Sequence, residues 1–139
     1  MLKFVYEGQL TSFFKADVDV VQGQLLKIDT TKVDTLVPAG AGDDVYGIAA
    51  QHVRAGNIDN FKLDSVTHVA KHGDKVGVYT NGGVYYTDQY VGTVTKGAKL
   101  YPAAAGVLSA TASGNAVAIA ETAGVKANGD RIRIKSLIG

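Results

Sequence analysis

The side chains best suited to hold a metal in this 139-residue sequence are its histidines. His68 and His72 stand close to Asp74, and imidazole and carboxylate groups are common metal ligands. The branched residues before the Gly-Asp pair at 73–74 predict a strand that enters a turn. Two histidines four positions apart on a strand are too far apart for easy chelation. We therefore expect the histidines, including His52, to be exposed or to line a surface without a metal.

Two aspartate pairs and one glycine-rich segment allow a similar comparison with ion and phosphate sites. Asp17 with Asp19, and Asp43 with Asp44, lack the glycine-punctuated spacing of a calcium loop. Residues 40–44 read GAGDD, which lacks the Lys-Ser/Thr ending of a phosphate-binding loop and would repel a phosphate. The sequence has no cysteine and no Gly-x-Ser-x-Gly motif. We therefore predict no catalytic residue, no cofactor and no enzymatic activity.

A basic stretch near the C-terminus resembles a nucleic-acid contact, because Arg131, Arg133 and Lys135 alternate with two isoleucines. In a strand the three cations share one face and the isoleucines share the other. The net charge is only +1, whereas nucleic-acid-binding domains carry clustered positive charge. We expect a solvated strand face and no nucleic-acid partner. No apolar segment approaches the ~20 residues that span a bilayer, and the first residues do not resemble a signal peptide. We therefore expect no membrane partner and synthesis in a cytoplasm.

The composition predicts a single β-rich domain that positions these side chains. Hydrophobic residues make up 46% of the chain and charged residues 19%, which is enough apolar material for a core. Seventeen glycines, abundant valine and threonine, and acidic residues that are mostly aspartate favour strands joined by tight turns. We divide the chain into an aromatic arm or first strand at residues 1–20 and a β domain at residues 21–139.

An imperfect internal repeat is the clearest sign of organisation. Three elements occur twice in the same order, and each is a glycine turn followed by a strand of apolar residues. The paired segments are 21–28 and 94–101, 42–50 and 114–121, and 73–79 and 129–134. We interpret them as a duplication. Residues 51–72 form an insert in the first copy, with one helical turn expected at 59–65.

Turn signals set the expected number of strands. Asn81-Gly82 lies between two runs of valine and tyrosine, and both turn residues tolerate positive φ, so we predict a β-hairpin there. Asn128-Gly129 predicts a second turn. The runs between turns number about eight to ten. The predicted fold class is all-β: a single compact β-barrel or β-sandwich-like domain of about eight to ten short strands with an imperfect internal duplication.

Aromatic residues are the predicted contacts with other proteins, because aromatic anchors are enriched at interface centres. They concentrate in the N-terminal segment and around the predicted hairpin. Tyr85 and Tyr86 are adjacent, so a strand would point them to opposite faces and expose one of them. The alternative for both groups is packing in the core. The predicted interface residues are Phe4, Tyr6, Phe13, Phe14, Tyr85, Tyr86 and Tyr90.

The strand-and-turn pattern as a whole resembles a known family. The segments that carry it are 23–26 (GQLL), 45–49 (VYGIA), 73–76 (GDKV), 97–101 (GAKLY), 117–121 (VAIAE) and 130–134 (DRIRI). Over residues 21–137 the chain is similar to the head decoration, or structural cement, proteins of tailed bacteriophages. The resemblance implies a homo-oligomer, a trimer or a dimer, on the outer capsid surface of a virion. There it would bridge subunits of the major capsid protein, after synthesis in the host cytoplasm, and stabilise the expanded shell against internal DNA pressure.

Two other functions stay open. One is a structural module of a phage tail or fibre, which a ring- or rod-shaped assembly of the isolated protein would favour. The other is a carbohydrate- or small-ligand-binding β module, in which an exposed Tyr85, Tyr86 or Tyr90 would serve as a stacking platform. Saturable sugar binding by the isolated domain would favour the second.

Overall fold

The computed structural model describes residues 2–6, 8–55 and 69–139, without the side chains of residues 3–6. His68 and the helical turn predicted at 59–65 lie outside the described residues. Two 3₁₀ turns, Ala104–Gly106 and Lys126–Asn128, accompany the strands. The strands are β1 (Leu2–Tyr6), β2 (Gln9–Thr11), β3 (Leu25–Ile28), β4 (Leu36–Pro38), β5 (Gly47–Ala49), β6 (His52–Arg54), β7 (Val69–Lys71), β8 (Val78–Asn81), β9 (Val84–Thr87), β10 (Thr93–Val94), β11 (Lys99–Ala103), β12 (Val107–Ser109), β13 (Ala118–Ala120), β14 (Gly124–Val125) and β15 (Ile132–Ser136).

These elements confirm the predicted all-β class. The described residues form fifteen strands, more than the expected eight to ten, because many strands are only two or three residues long. Runs that short leave too few alternating positions for a sequence pattern to detect. No helix in the described ranges is long and apolar enough to cross a membrane.

Most strands belong to two antiparallel sheets. The five-stranded sheet has the order β2-β8-β5-β3-β4, and the six-stranded sheet has the order β1-β9-β15-β13-β11-β12. Strands β10 and β14 pair antiparallel, and β6 and β7 pair parallel. Within the residues that the structure describes, neither large sheet closes into a barrel, so the barrel alternative is not observed.

The two large sheets repeat one strand order, which confirms the predicted duplication. The order β2-β8-β5-β3-β4 matches β9-β15-β13-β11-β12, and β1 is an additional strand beside β9. The registers agree as well, because Leu25 pairs with Ile48 in the first sheet as Lys99 pairs with Ile119 in the second. We call β2–β8 the first repeat and β9–β15 the second repeat.

The turns that enter the two sheets also correspond. The N–H of Gly23 donates to the carbonyl of Ala49 at 2.8 Å, and the N–H of Gly97 donates to the carbonyl of Ala120 at 2.7 Å. Both glycines have a positive φ, of 98° and 86°, which a side chain would strain. The glycine turns recognised in the sequence therefore do the same work in both repeats.

Equivalent positions of the repeats fill two apolar clusters. The smaller cluster belongs to the first repeat, and the larger one combines residues of both sheets. The larger cluster also takes up Leu25, Ile48 and Tyr79, which lie on the opposite face of the first-repeat sheet. That face is therefore buried by the second repeat. Matched buried pairs are Val20 and Val94, Leu26 and Leu100, Leu36 and Leu108, Ala49 and Ala120, Val76 and Ile132, and Val78 and Ile134.

The predicted hairpin at Asn81-Gly82 is wrong. Gly82 and Gly83 do form a turn with positive φ, of 67° and 101°, but β8 and β9 enter different sheets and do not pair. The turn is the junction between the repeats. The buried hydroxyl of Tyr85 stabilises it, because it accepts from the N–H of Gly8 at 3.0 Å and donates to the carbonyl of Gly82 at 3.1 Å. The second predicted turn is confirmed, since Gly129 ends a 3₁₀ turn in the left-handed conformation.

The N-terminal segment forms strands of the fold. Strand β1 pairs antiparallel with β9, and β2 pairs antiparallel with β8. This short segment therefore contributes one edge strand to each of the two large sheets. Within the predicted segment 1–20, residues 2–6 and 9–11 are strands.

Candidate interaction site

Two of the predicted interface residues lie in the core. The side chains of Tyr85 and Tyr90 are fully buried, so the prediction that they contact a partner is wrong for these two. Tyr90 donates its hydroxyl to the carbonyl of Asp130 at 2.7 Å, and burial raises the pKa of that hydroxyl. Tyr86 lies half-buried on the outer face, so one of the adjacent tyrosines faces out as predicted. The stacking platform expected of a sugar-binding module therefore loses two of its three rings.

The four phenylalanines and tyrosines predicted near the N-terminus have different positions. Phe4 and Tyr6 lie on β1, opposite Tyr85 and Val84, and their side chains lie outside the description. Phe14 is half-buried and packs edge-on against Tyr46, with ring centroids 4.9 Å apart, at the border of the smaller cluster. For Phe14 core packing is therefore the better interpretation.

Of the predicted interface residues whose side chains the structure describes, Phe13 is the most accessible, with 74% of its surface exposed. Val33, in the turn between β3 and β4, is 81% exposed. Lys15 and Thr35 form an isolated parallel β-bridge. Phe13 and Val33 each lie two residues before the bridge in their own segment. The parallel register therefore brings the two side chains to the same end of this pairing. We call Phe13 and Val33 the apolar patch.

Charged groups lie beside the apolar patch, and one of them binds the backbone of Phe13. The ammonium group of Lys75 donates to the carbonyl of Phe13 at 2.6 Å. The carboxylate of Asp17 lies 4.0 Å from the ammonium group of Lys15 and 3.9 Å from that of Lys32. An apolar centre within a polar rim is the arrangement found at protein interfaces. Sequence reasoning missed Val33, although a lone valine in the polar run 30–35 was a detectable signal.

A second surface is the outer face of the six-stranded sheet. Ile132 and Ile134 point inward and are buried, so the neighbouring cations of β15 point outward as predicted. Arg133 donates to the Glu121 carboxylate at 2.8 Å, and hydrogen bonding to Tyr86 and to Glu121 raises the pKa of Arg133. We call this surface, with Val84, Tyr86, Lys99, Ile119, Arg133 and Lys135, the open sheet face.

A third feature is an open groove of about 650 Å³ on the first repeat. Ile28, Val37 and Val45 contribute apolar surface, and three aspartates contribute charge. Asp43 binds the ammonium group of Lys27 at 2.8 Å, and this contact holds the pKa of Asp43 below its usual range. We call this feature the acidic groove.

The described histidines make separate contacts. The Nε2 of His72 lies 2.8 Å from a carboxylate oxygen of Asp19, whose pKa this hydrogen bond lowers. His52 accepts at Nδ1 from the N–H of Gln22 at 3.2 Å, and burial lowers the pKa of His52 from 6.5. Among the residues that the structure describes, no three His, Cys, Asp or Glu side chains are grouped closely enough to hold a metal.

A scan against protein-family models matches no family, and a search of curated proteins finds no similar chain.

Proposed function

We propose that this protein is a structural component of a phage virion that decorates the outer capsid surface and bridges subunits of the major capsid protein. The observation that carries the proposal is the apolar patch on a rigid β frame. An exposed apolar patch with polar residues at its rim is typical of a protein-binding surface. The resemblance to phage head decoration proteins supplies the partner.

The frame suits a protein that has to transmit force. Each repeat has its own buried positions, and the larger cluster joins the two sheets. Close-packed β cores deform little, so a contact at one end is held in register with the rest of the molecule. Many modest contacts repeated over a shell give high avidity when their geometry matches.

Co-sedimentation with undecorated capsids of the parent virus, expanded and unexpanded, tests the proposal. We expect saturable binding to expanded capsids at a constant ratio to the major capsid protein. Substitution of Phe13→Ser together with Val33→Ser should weaken binding at least about tenfold, because each apolar side chain buried contributes about 1.5–3 kcal/mol.

The matched control is Val91→Ser, which removes another exposed valine (44% exposed) in the second repeat. This variant should bind like the wild-type protein. Absence of wild-type binding to either capsid form would contradict the proposed function. Wild-type binding that Phe13→Ser and Val33→Ser leave unchanged would contradict the role of the apolar patch alone.

A further inference from the structure

One sheet face is covered in the first repeat and open in the second. In the first repeat Leu25, Ile48 and Tyr79 occupy this face, and each is at most 9% exposed. The pairing registers place Lys99, Ile119 and Lys135 at the equivalent positions of the second repeat. There both lysines are exposed and the isoleucine is half-buried. Within the residues that the structure describes, this face therefore has a cover in the first repeat and none in the second.

The chemistry of the open sheet face indicates what would cover it. Lys99 lies opposite Ile119, Ile119 opposite Lys135, and Lys135 opposite Val84 across four neighbouring strands. The two lysines thus flank Ile119, and Val84 lies on the far side of Lys135. Neither lysine makes an ion pair within the described part of the chain, whereas Arg133 beside them is neutralised by Glu121. A fitting surface would present carboxylates around apolar side chains.

The acidic groove of the first repeat has this composition. Its apolar wall includes Ile28, which is 47% exposed, and Val45. Hydrogen bonds from Thr31 lower the pKa of Asp29, so this carboxylate is negatively charged at neutral pH. Asp44, also at the groove, is exposed to solvent.

The net charge of the chain is also negative in the first repeat and positive in the second. Residues 1–83 contain eight Lys and Arg and ten Asp and Glu, a net charge of −2. Residues 84–139 contain six Lys and Arg and three Asp and Glu, a net charge of +3. Two copies of the chain therefore attract each other when the first repeat of one approaches the second repeat of the other.

We propose that the open sheet face of one copy binds the acidic groove of a second copy of this chain. The contact places Lys99 and Lys135 near the groove carboxylates and buries Ile119 and Val84, which lie on either side of Lys135. The second copy would thus cover the open sheet face of the second repeat. The equivalent face of the first repeat is already covered within one chain. Such a contact closes either as a two-fold dimer or as a ring. It goes beyond capsid binding and is tested without capsids.

Charge-reversed variants of the two surfaces test the contact. The face variant carries Lys99→Glu and Lys135→Glu, and the groove variant carries Ile28→Lys and Asp44→Lys. All four side chains are exposed, so the fold should persist, and circular dichroism checks this. Light scattering coupled to size-exclusion chromatography should give the wild-type protein a mass of at least two 14.5 kDa chains. That mass should fall as salt screens the charges.

Each variant alone should have the mass of one chain. An equimolar mixture of the two should form a dimer, because the groove of the face variant and the face of the groove variant are both intact. The matched control carries Lys96→Glu and Lys126→Glu, which change the charge equally on exposed residues outside the open sheet face, and it should keep the wild-type mass. The proposal is overturned by a monomeric wild-type protein, by a face variant with the wild-type mass, or by a mixture that stays monomeric.

Discussion

At the scale of single residues, the environment of His52 shows how burial sets a protonation state. Its Nδ1 accepts a hydrogen bond from the backbone of Gln22, which requires an unprotonated nitrogen at that position. Burial and the nearby Arg54 both lower the pKa of His52 from 6.5. The folded protein therefore holds this imidazole neutral at a pH where the unfolded chain already protonates it.

This residue predicts a pH dependence of stability. Because the folded pKa is depressed, the stabilisation is complete above about pH 6.5 and is lost as the pH falls through the lower folded value. The free energy of unfolding should therefore decrease between about pH 7.5 and about pH 5.5. His52→Gln should show a smaller decrease. Urea unfolding at both pH values measures it, and equal decreases in the two proteins would refute the assignment.

Tyr85 and Tyr86 show that residue type alone does not determine burial. Tyr85 and Tyr86 are chemically identical neighbours, yet one is a buried hydrogen-bonding residue and the other faces outward. Alternation along β9 requires the two tyrosines to point to opposite faces of the six-stranded sheet. Tyr85 is the buried one because its face packs against the five-stranded sheet. Local sequence does not contain that information.

At the scale of elements, the duplication makes equivalent strands comparable. Leu26 on β3 and Leu100 on β11 occupy matched positions and are both fully buried, one in each apolar cluster. The cluster around Leu26 consists of first-repeat residues, whereas the cluster around Leu100 combines residues of both repeats. The same substitution therefore tests whether the two cores contribute equally.

We predict that Leu26→Ala and Leu100→Ala each lower the free energy of unfolding by about 2–5 kcal/mol, through lost burial and the cavity left behind. Leu137→Ala, at a position 41% exposed, should change it by about 0.5 kcal/mol or less. Urea unfolding monitored by circular dichroism measures all three. A cost confined to one of the two buried positions would show that the repeats differ in core packing.

At the scale of the whole molecule, the repeats share an interface rather than forming two domains. Leu25, Ile48 and Tyr79 of the first repeat belong to the cluster of the second. Tyr79 and Tyr85 pack with ring centroids 5.1 Å apart across the junction. Unfolding one repeat would expose this apolar surface on the other.

The protein should therefore unfold in a single cooperative transition. Differential scanning calorimetry should give equal calorimetric and van't Hoff enthalpies, since no intermediate with one folded repeat is populated. Two resolved transitions would show that the repeats are independent units. The measurement should be made at low concentration, because self-association would raise the transition temperature with concentration.

Local sequence patterns were sufficient to predict the secondary-structure class and the internal repeat of this protein. Period-two alternation and glycine turns predicted an all-β chain, the duplication, and the inward position of Ile132 and Ile134. These features depend on neighbours a few residues apart and on backbone angles that only glycine adopts readily, so they are readable in one dimension.

Strand pairing and the burial of each sheet face depend on contacts between distant segments, which the folded structure reveals. The Asn81-Gly82 pattern correctly predicted a turn, but the strands on either side of it lie in different sheets. Strand β8 pairs with β2 and β5, and β9 pairs with β1 and β15. Phe13 and Val33 lie beside one bridge, between Lys15 and Thr35, that joins distant segments. The open sheet face exists because one repeat covers the other and nothing within the described chain covers the second. Strand pairing and burial depend on contacts between residues that are distant in sequence, so a local sequence pattern does not predict them.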